Sequence, residues 1–363
     1  MKKTLLKIAI LTGLLFGVEN GYGQGEKRIQ FHSADTFTLV GKIKETEQFF
    51  HRIDPTDYPN IPNIVKTRLL TSAGMAISFK TNSKAIYAKW CSKEQGYVAH
   101  MSPLATRGLD LYTKENGAWQ FIGVGRPDKD KDCSSKNLVN NLDGEMREYL
   151  LYLPLYSETT SVNIGVGDGA TIVAGRRPFE KRILVYGSSI VHGASASRPG
   201  MAYTSRLSRE TGLNFLNLGM SGVARMEKEV AHMASDIPAD AYILDCVPNS
   251  SPEQITERTA YLIKTIRKKH KAVPIIVMQS VIREHGYFNR AIGDKVARQN
   301  HNIYKEVQKL YKEGFENLYF IFADDFLGND HEGTVDGTHP NDLGFDRMLQ
   351  VIKLQILPIL NRL

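Results

Sequence analysis

The sequence predicts an α/β protein: a parallel sheet with flanking helices, preceded by an all-β sandwich or jelly-roll domain. Three observations carry this reading. Short period-two runs are confined to about residues 25–175. After Pro178, apolar strand-like runs alternate strictly with helical stretches. The length of 363 residues, at roughly 150 per domain, suggests two domains, each able to bury its own core.

Composition narrows the class. With 42% hydrophobic and 23% charged residues, the chain is neither a disordered tail, a collagen-like repeat nor a polytopic membrane protein, and three cysteines exclude a disulfide-stapled mini-fold. The formal charge of +7 suggests an anionic partner until it is located along the chain. Residues 1–23 read as a secretory signal: Lys2 and Lys3, an apolar run from Ile8 to Val18, then Gly21-Tyr22-Gly23, small residues where a signal peptidase cuts. That run is about half the roughly 20 residues needed to span a bilayer, so an integral membrane segment is not expected. The protein is expected to be exported, to the periplasm or beyond. Three lysines and Glu19 would leave with the signal. The remaining basic residues, including Arg176, Arg177, Lys181, Arg182 and the Arg267–Lys271 run, are scattered and mark no site. Without an aromatic-interleaved basic stripe, no nucleic-acid partner is expected.

Residues 24–177 form the expected sandwich. Runs such as Phe37-Leu39, Met75-Phe79, Ala85-Trp90, Leu109-Tyr112, Trp119-Ile122 and Tyr149-Leu153 alternate between turn signals, among them Glu115-Asn116-Gly117. Cys91 and Cys133 share this half, and an exported protein could bridge them. Trp90 and Trp119 are core residues by their place in the alternation; exposed, they would instead suit glycan binding. Residues 178–363 form the α/β domain, with strands at Ile183-Tyr186, Phe215-Leu218, Ala241-Cys246, Pro274-Met278 and Leu318-Phe322, and helices near 202–211, 225–234, 252–269, 294–313 and 341–360.

In such sheets ligands bind at the carboxyl ends of the strands, and those ends carry unusual residues. The first runs into Gly187-Ser188-Ser189, a serine on a turn where a nucleophile is needed. This is not the Gly-x-Ser-x-Gly elbow, since Val191 stands where the last glycine would be. The second runs into Asn217-Leu218-Gly219-Met220-Ser221-Gly222, where a glycine lets a backbone N–H approach a developing oxyanion. The third runs into Cys246-Val247-Pro248-Asn249 and brings an amide donor; Cys246 itself reads as a buried packing residue. Before the last helix, Asp336-Gly337-Thr338-His339 can set a carboxylate against one imidazole nitrogen and leave the other facing the site. Each cluster alone has a bland reading as a turn or cap. Together they are the parts of a serine esterase. His331 and Asp330 lie nearby, but no metal-ligand spacing supports a closed site, so no metal and no cofactor is expected.

These blocks resemble the SGNH hydrolase superfamily, also called GDSL esterases, whose four blocks supply serine, glycine, asparagine and histidine. The matches are Ser189, Gly222, Asn249 and His339 with Asp336, in the family's order over about residues 180–360. One departure is Ser188, where the family usually has aspartate. The stretch from Ser189 to Tyr203, and Ser72-Ala-Gly-Met-Ala-Ile-Ser-Phe-Lys-Thr-Asn-Ser83 before it, are similar to a bacterial subgroup with an N-terminal β-sandwich, often carbohydrate esterases. The resemblance implies a flavodoxin-like catalytic domain with Ser189 as nucleophile, His339 as base oriented by Asp336, and an oxyanion hole of Ser189 N–H, Gly222 N–H and the Asn249 amide. It implies hydrolysis of short acyl esters, acetyl above all, on a glycan. A lipid-directed acylhydrolase or lysophospholipase is the alternative, and a glycan-binding protein with a dead hydrolase domain a further one. Arg225 and Tyr287 are candidate substrate contacts. Oligomeric state is not legible.

Overall fold

The computed structural model describes residues 28–94, 96–324 and 326–363; the segment read as a secretory signal lies outside them. The first half contains β1 (Ile29–Ser33), β2 (Thr38–Val40), β3 (Ala76–Thr81), β4 (Ile86–Glu94), β5 (Leu109–Glu115), β6 (Ala118–Gly125), β7 (Cys133–Val139), β8 (Arg147–Tyr152), β9 (Ser157–Gly167) and β10 (Ile172–Ala174), with helices α1 (Asn63–Leu69) and α2 (Pro103–Arg107). The strands form two antiparallel sheets, β1-β9-β4-β7 and β10-β3-β8-β5-β6, the second joined by β2 beside β3. Alternation decides what lies between them. Phe79, Tyr149 and Leu151 meet Ile86, Trp90 and Ile164 in one core, while the neighbouring Leu150 and Tyr152 point to the other face, toward the second half.

The β5–β6 hairpin turns on two residues, with Glu115 opposite Ala118. Asn116 (φ 49°) and Gly117 (φ 83°) are both left-handed, as a two-residue hairpin turn of this hand requires. Trp90 is buried and donates its indole N–H to Arg107 O at 2.8 Å, so it is a core residue and offers no face to a glycan. Trp119 is half-buried beneath Lys114. Cys91 and Cys133 face each other across β4 and β7 and are joined by a disulfide.

The second half contains β11 (Glu180–Gly187), α3 (Ser189–His192), α4 (Tyr203–Thr211), β12 (Leu213–Gly219), α5 (Lys228–Asp236), β13 (Ala241–Asp245), α6 (Pro252–Lys269), β14 (Ile275–Met278), α7 (Arg290–Lys312), β15 (Leu318–Ile321) and α8 (Asp342–Leu360). All strand pairs are parallel, in the order β12-β11-β13-β14-β15, the flavodoxin-like arrangement. Both faces are covered, which is why the strands read as continuous apolar runs. Leu184 and Tyr186 pack on α5, α6 and α7 through Val230, Leu262 and Ile303. Ile183 and Val185 pack on α4 and α8 through Leu207, Phe345 and Ile352. The start of α6 is fixed locally by a capping box between Ser251 and Gln254, with Pro252 in the first turn.

Two features join the halves. Between β2 and β3 the chain leaves the sandwich: Ile43, Ile53, Ile61, Val65 and Leu69 belong to the same core as Leu216 and Leu218 of β12. At the sandwich's outer face, buried Asp110 pairs with Arg198 at 2.7 Å and accepts from Gly200 N at 2.9 Å, while Arg209 lies over the Tyr112 ring.

Replacing both Cys91 and Cys133 by serine opens a loop of sequence separation 42. Denaturant unfolding is expected to register a loss of about 2–4 kcal/mol, as loop-closure entropy of the unfolded chain predicts. An unchanged midpoint would mean that the β4–β7 pairing is held without the bridge.

Candidate active site

The carboxyl ends of β11, β12 and β13 are in register, with Gly187 beside both Gly219 and Asp245. The ladder runs past them, through Met220 N–H to Gly187 O (2.8 Å) and Ser188 N–H to Asp245 O (3.2 Å), so the three following loops leave from one edge. Glycine is required at two of these ends. A Cβ on Gly187 would lie 2.4 Å from Asp245 O, and one on Gly219 would lie 2.2 Å from His192 N. Ser188, at the position where aspartate was expected, caps α3 by accepting from Ile190 N–H at 3.2 Å. Ser189 follows as the first residue of α3, nearly buried at 8% exposure.

Ser189 Oγ lies 2.9 Å from His339 Nε2, and His339 Nδ1 lies 2.8 Å from Asp336 Oδ2. Since the carboxylate accepts from Nδ1–H, the Nε2 lone pair is left for the serine hydroxyl proton. Asp336 is held twice more, accepting at Oδ1 from His339 N–H (2.8 Å) and Thr338 N–H (3.0 Å). Partial burial by itself raises the Asp336 carboxyl, but these bonds and the facing imidazole outweigh it and bring the carboxyl down to about 2. The structure therefore brings together the serine, histidine and aspartate singled out in the sequence.

Gly222 is exposed, in the left-handed region (φ 77°), and a Cβ there would meet open space, so conformation rather than crowding selects glycine. Asn249 ends a short 3-10 turn (Val247–Asn249) and accepts Ala224 N–H at Oδ1 (3.3 Å), which ties the second loop to the third. With the carbonyl end of the amide engaged, its NH₂ end remains for a ligand.

The peptide before Gly222 is held by residues that sequence reading did not single out. Ser221 N–H donates to His192 Nδ1 (3.4 Å), and Ser221 O accepts from Arg68 Nε (3.3 Å). Ser221 C=O and Gly222 N–H belong to one peptide group, so a guanidinium on the oxygen both fixes the N–H and polarises it. His192 Nε2 lies 2.8 Å from Leu155 O and 3.0 Å from Thr71 Oγ1, so the ring carries its proton on Nε2 and accepts on Nδ1. Burial, then the charges of Arg52 and Arg68, hold His192 well below the ordinary histidine value and keep it neutral. Arg52, fully buried, donates from Nη1 to Asn217 O (2.7 Å) and Gly219 O (3.0 Å), and from Nη2 to Arg68 O.

His100, from the segment after β4, was also missed. Its ring stacks on His339 at 4.3 Å and 5°, with Nδ1 3.9 Å from Asp336 Oδ2. His100, Asp336 and His339 place ligand atoms within 4.8 Å of one another. A metal must lie in the plane of each imidazole, about 2.0–2.1 Å from its nitrogen, and two parallel planes share no such point. The trio suits a stacked base better than a metal centre.

Arg225 is exposed, with Nη2 3.4 Å from Gly222 O, beside the site. Tyr287 instead packs edge-on against His331 at 4.5 Å, and His331 pairs with Glu284. Among the described residues no hydrogen bond or ring contact joins Tyr287 to the triad. Cys246 is buried and free, and burial pushes its thiol far above the usual range, which fits packing and not nucleophilic attack.

The low Asp336 value has a direction that stability measurements can read. A carboxyl that titrates near 2 when folded and near 3.8 when free stabilises the fold fully above the free value. That contribution is lost as pH falls toward 2. The stability difference between wild type and Asp336→Asn is expected to be constant from pH 8 to about 5 and to shrink toward pH 2; a difference that grows on acidification would contradict the assignment.

Residues 180–357 match the GDSL-like lipase/acylhydrolase family, and residues 29–172 match the N-terminus of SGNH-hydrolase-type esterases. No functionally curated protein matches the sequence. Among solved structures, a candidate GDSL-like lipase from Bacteroides ovatus is 53% identical, with 92% of this chain and 98% of that one covered and a TM-score of 0.90. The salicylyl-acyltransferase SsfX3 of a tetracycline biosynthetic pathway is 19% identical over 91% of this chain and 97% of its own, at a TM-score of 0.75. A family two carbohydrate esterase from Clostridium thermocellum, solved with cellohexaose, is 12% identical over 80% of this chain and 94% of its own, at 0.57. The last two likenesses show the shared fold. With 53% identity to the Bacteroides ovatus protein over 92% of its length, the chain belongs to the GDSL-like lipase/acylhydrolase family of SGNH hydrolases.

Proposed function

We propose that the protein is an exported serine esterase that removes short acyl groups, acetyl above all, from a glycan. The observation that carries the reading is the Ser189–His339–Asp336 relay at the carboxyl edge of the parallel sheet. His339 Nε2 takes the Ser189 proton as Oγ attacks the ester carbonyl. The tetrahedral oxyanion accepts from Ser189 N–H, Gly222 N–H and the Asn249 amide. Collapse expels the sugar alkoxide, which takes the proton back from His339, and water activated by the same imidazole releases the acid.

Short acyl groups are favoured by the polar groups gathered about Ser189, where His339, Asp336 and His100 lie together. A lipid acylhydrolase needs a long apolar pocket at the serine. Export is supported by the Cys91–Cys133 disulfide, a bond that persists in oxidising compartments. The glycan part rests on architecture shared with carbohydrate esterases, which is analogy.

Ser189→Ala is expected to abolish hydrolysis of p-nitrophenyl acetate; retained activity in the purified variant would sink the proposal. In a p-nitrophenyl ester series, kcat/KM is expected to collapse beyond short chains, whereas a rise with chain length would favour the lipid reading. Asn249→Ala is expected to cost roughly 10²–10³ in kcat, as for one oxyanion donor, and Arg68→Met, which acts through the Ser221 peptide, about tenfold with KM little changed. Arg68→Lys is expected to recover part of that loss. A fall confined to KM would remove Arg68 from the transition-state edge.

A further inference from the structure

The loops that carry Gly222 and Asn249 are edged by arginines that have no acidic partner among the described residues. Arg225 sets its guanidinium against Gly222 O (3.4 Å), Arg68 against Ser221 O (3.3 Å), and Arg283, from the loop after β14, donates to Pro248 O (2.9 Å), next to Asn249. Among the described residues none of the three has a carboxylate oxygen within 4.0 Å, whereas Arg198, Arg206 and Arg347 elsewhere each hold one at 2.6–2.7 Å. The nearby acids offset this charge only in part. Asp336 is taken by His339, and Asp245 is buried beneath the edge, where loss of solvation pushes its carboxyl up to about 7. Arg283 is half-buried, and burial works against its charge while Asp336 supports it. A half-buried guanidinium bound only to a neutral carbonyl carries a desolvation cost that an incoming anion would offset. Arginines grouped along one edge also raise the local concentration of anionic ligands.

We propose that the acylated substrate is an acidic glycan, whose uronate carboxylate is held by Arg225 and Arg283 while its acetyl ester lies at Ser189. The proposal rests on the esterase reading and gives it a substrate class. The scattered positive charge of the sequence thus contains one site, visible only once three loops distant in the chain are brought to one edge.

The test uses the full chain and acetylated oligogalacturonates, with free carboxylates or with the carboxylates methyl-esterified, and acetate release as the readout. At about 20 mM salt, kcat/KM is expected to be at least roughly tenfold higher on the free acid, and the preference is expected to fall toward one by about 500 mM as screening shortens the reach of the charges. In Arg225→Gln/Arg283→Gln the ratio is expected to fall toward one at low salt. Calorimetric binding of acetylated oligogalacturonate to Ser189→Ala gives a readout without turnover: the acidic form is expected to bind more tightly than its methyl ester. Equal kcat/KM in the wild type, or a preference that survives the double substitution, would overturn the proposal. Hydrolysis of p-nitrophenyl acetate with no discrimination between the oligosaccharides would overturn it and leave the esterase reading standing. Failure on every ester would remove both.

Discussion

The buried guanidinium of Arg52 is the contact on which the site's geometry depends. Among the described residues it has no carboxylate partner; its Nη groups bind the carbonyl oxygens of Asn217 and Gly219 in β12 and that of Arg68 in α1. Burial draws it down to about 9, still charged at neutral pH. Carbonyls on the open side of an edge strand such as β12 must find donors outside the ladder, and here a residue more than 150 positions earlier supplies them. The same bond positions Arg68, whose side chain reaches Ser221 O. His192 closes the arrangement from α3, the helix that Ser189 begins. The loop that presents Gly222 is thereby held at both the N–H and the C=O of Ser221, which suits an edge that must stabilise charge without rearranging.

This explains why the first half of the chain is more than an appended module. Residues 43–69 complete the core over β12, Leu155 O fixes the His192 tautomer, and His100 lies flat on the imidazole of His339. Burial and the neighbouring His339 outweigh Asp336 and hold His100 below the ordinary histidine value, which favours the neutral ring against His339. A neutral stacked ring restricts the base without competing for its proton.

The fold was legible where hydrophobic pattern and topology coincide. The five apolar runs after Pro178 became β11 to β15, and the helix expected over 252–269 is α6, because a parallel sheet buried on both faces leaves an unmistakable run of Val, Ile and Leu. Ser189, His339 and Asp336 were legible for the same reason: the strand ends are readable, and chemistry concentrates there. What stayed hidden depends on contacts between distant residues. Strand β7, Cys-Ser-Ser-Lys-Asn-Leu-Val, is mostly polar and takes its place from the β4 partner and the disulfide. Arg52, Arg68, His100 and His192 carry no local signal, since each works through residues tens to hundreds of positions away. Tyr287 draws notice as an aromatic in a polar loop, and the structure gives it His331 as its ring partner.

The central claim is that the edge is built in advance for an oxyanion. Its most direct test is a crystal structure of the protein after reaction with a short alkyl phosphonate ester. Phosphorus is expected on Ser189 Oγ and a phosphonyl oxygen about 2.7–3.1 Å from Ser189 N, Gly222 N and Asn249 Nδ2, with residues 219–224 unmoved and Arg68 still on Ser221 O. An adduct on another residue, or an oxygen turned away from Gly222 and Asn249, would contradict it.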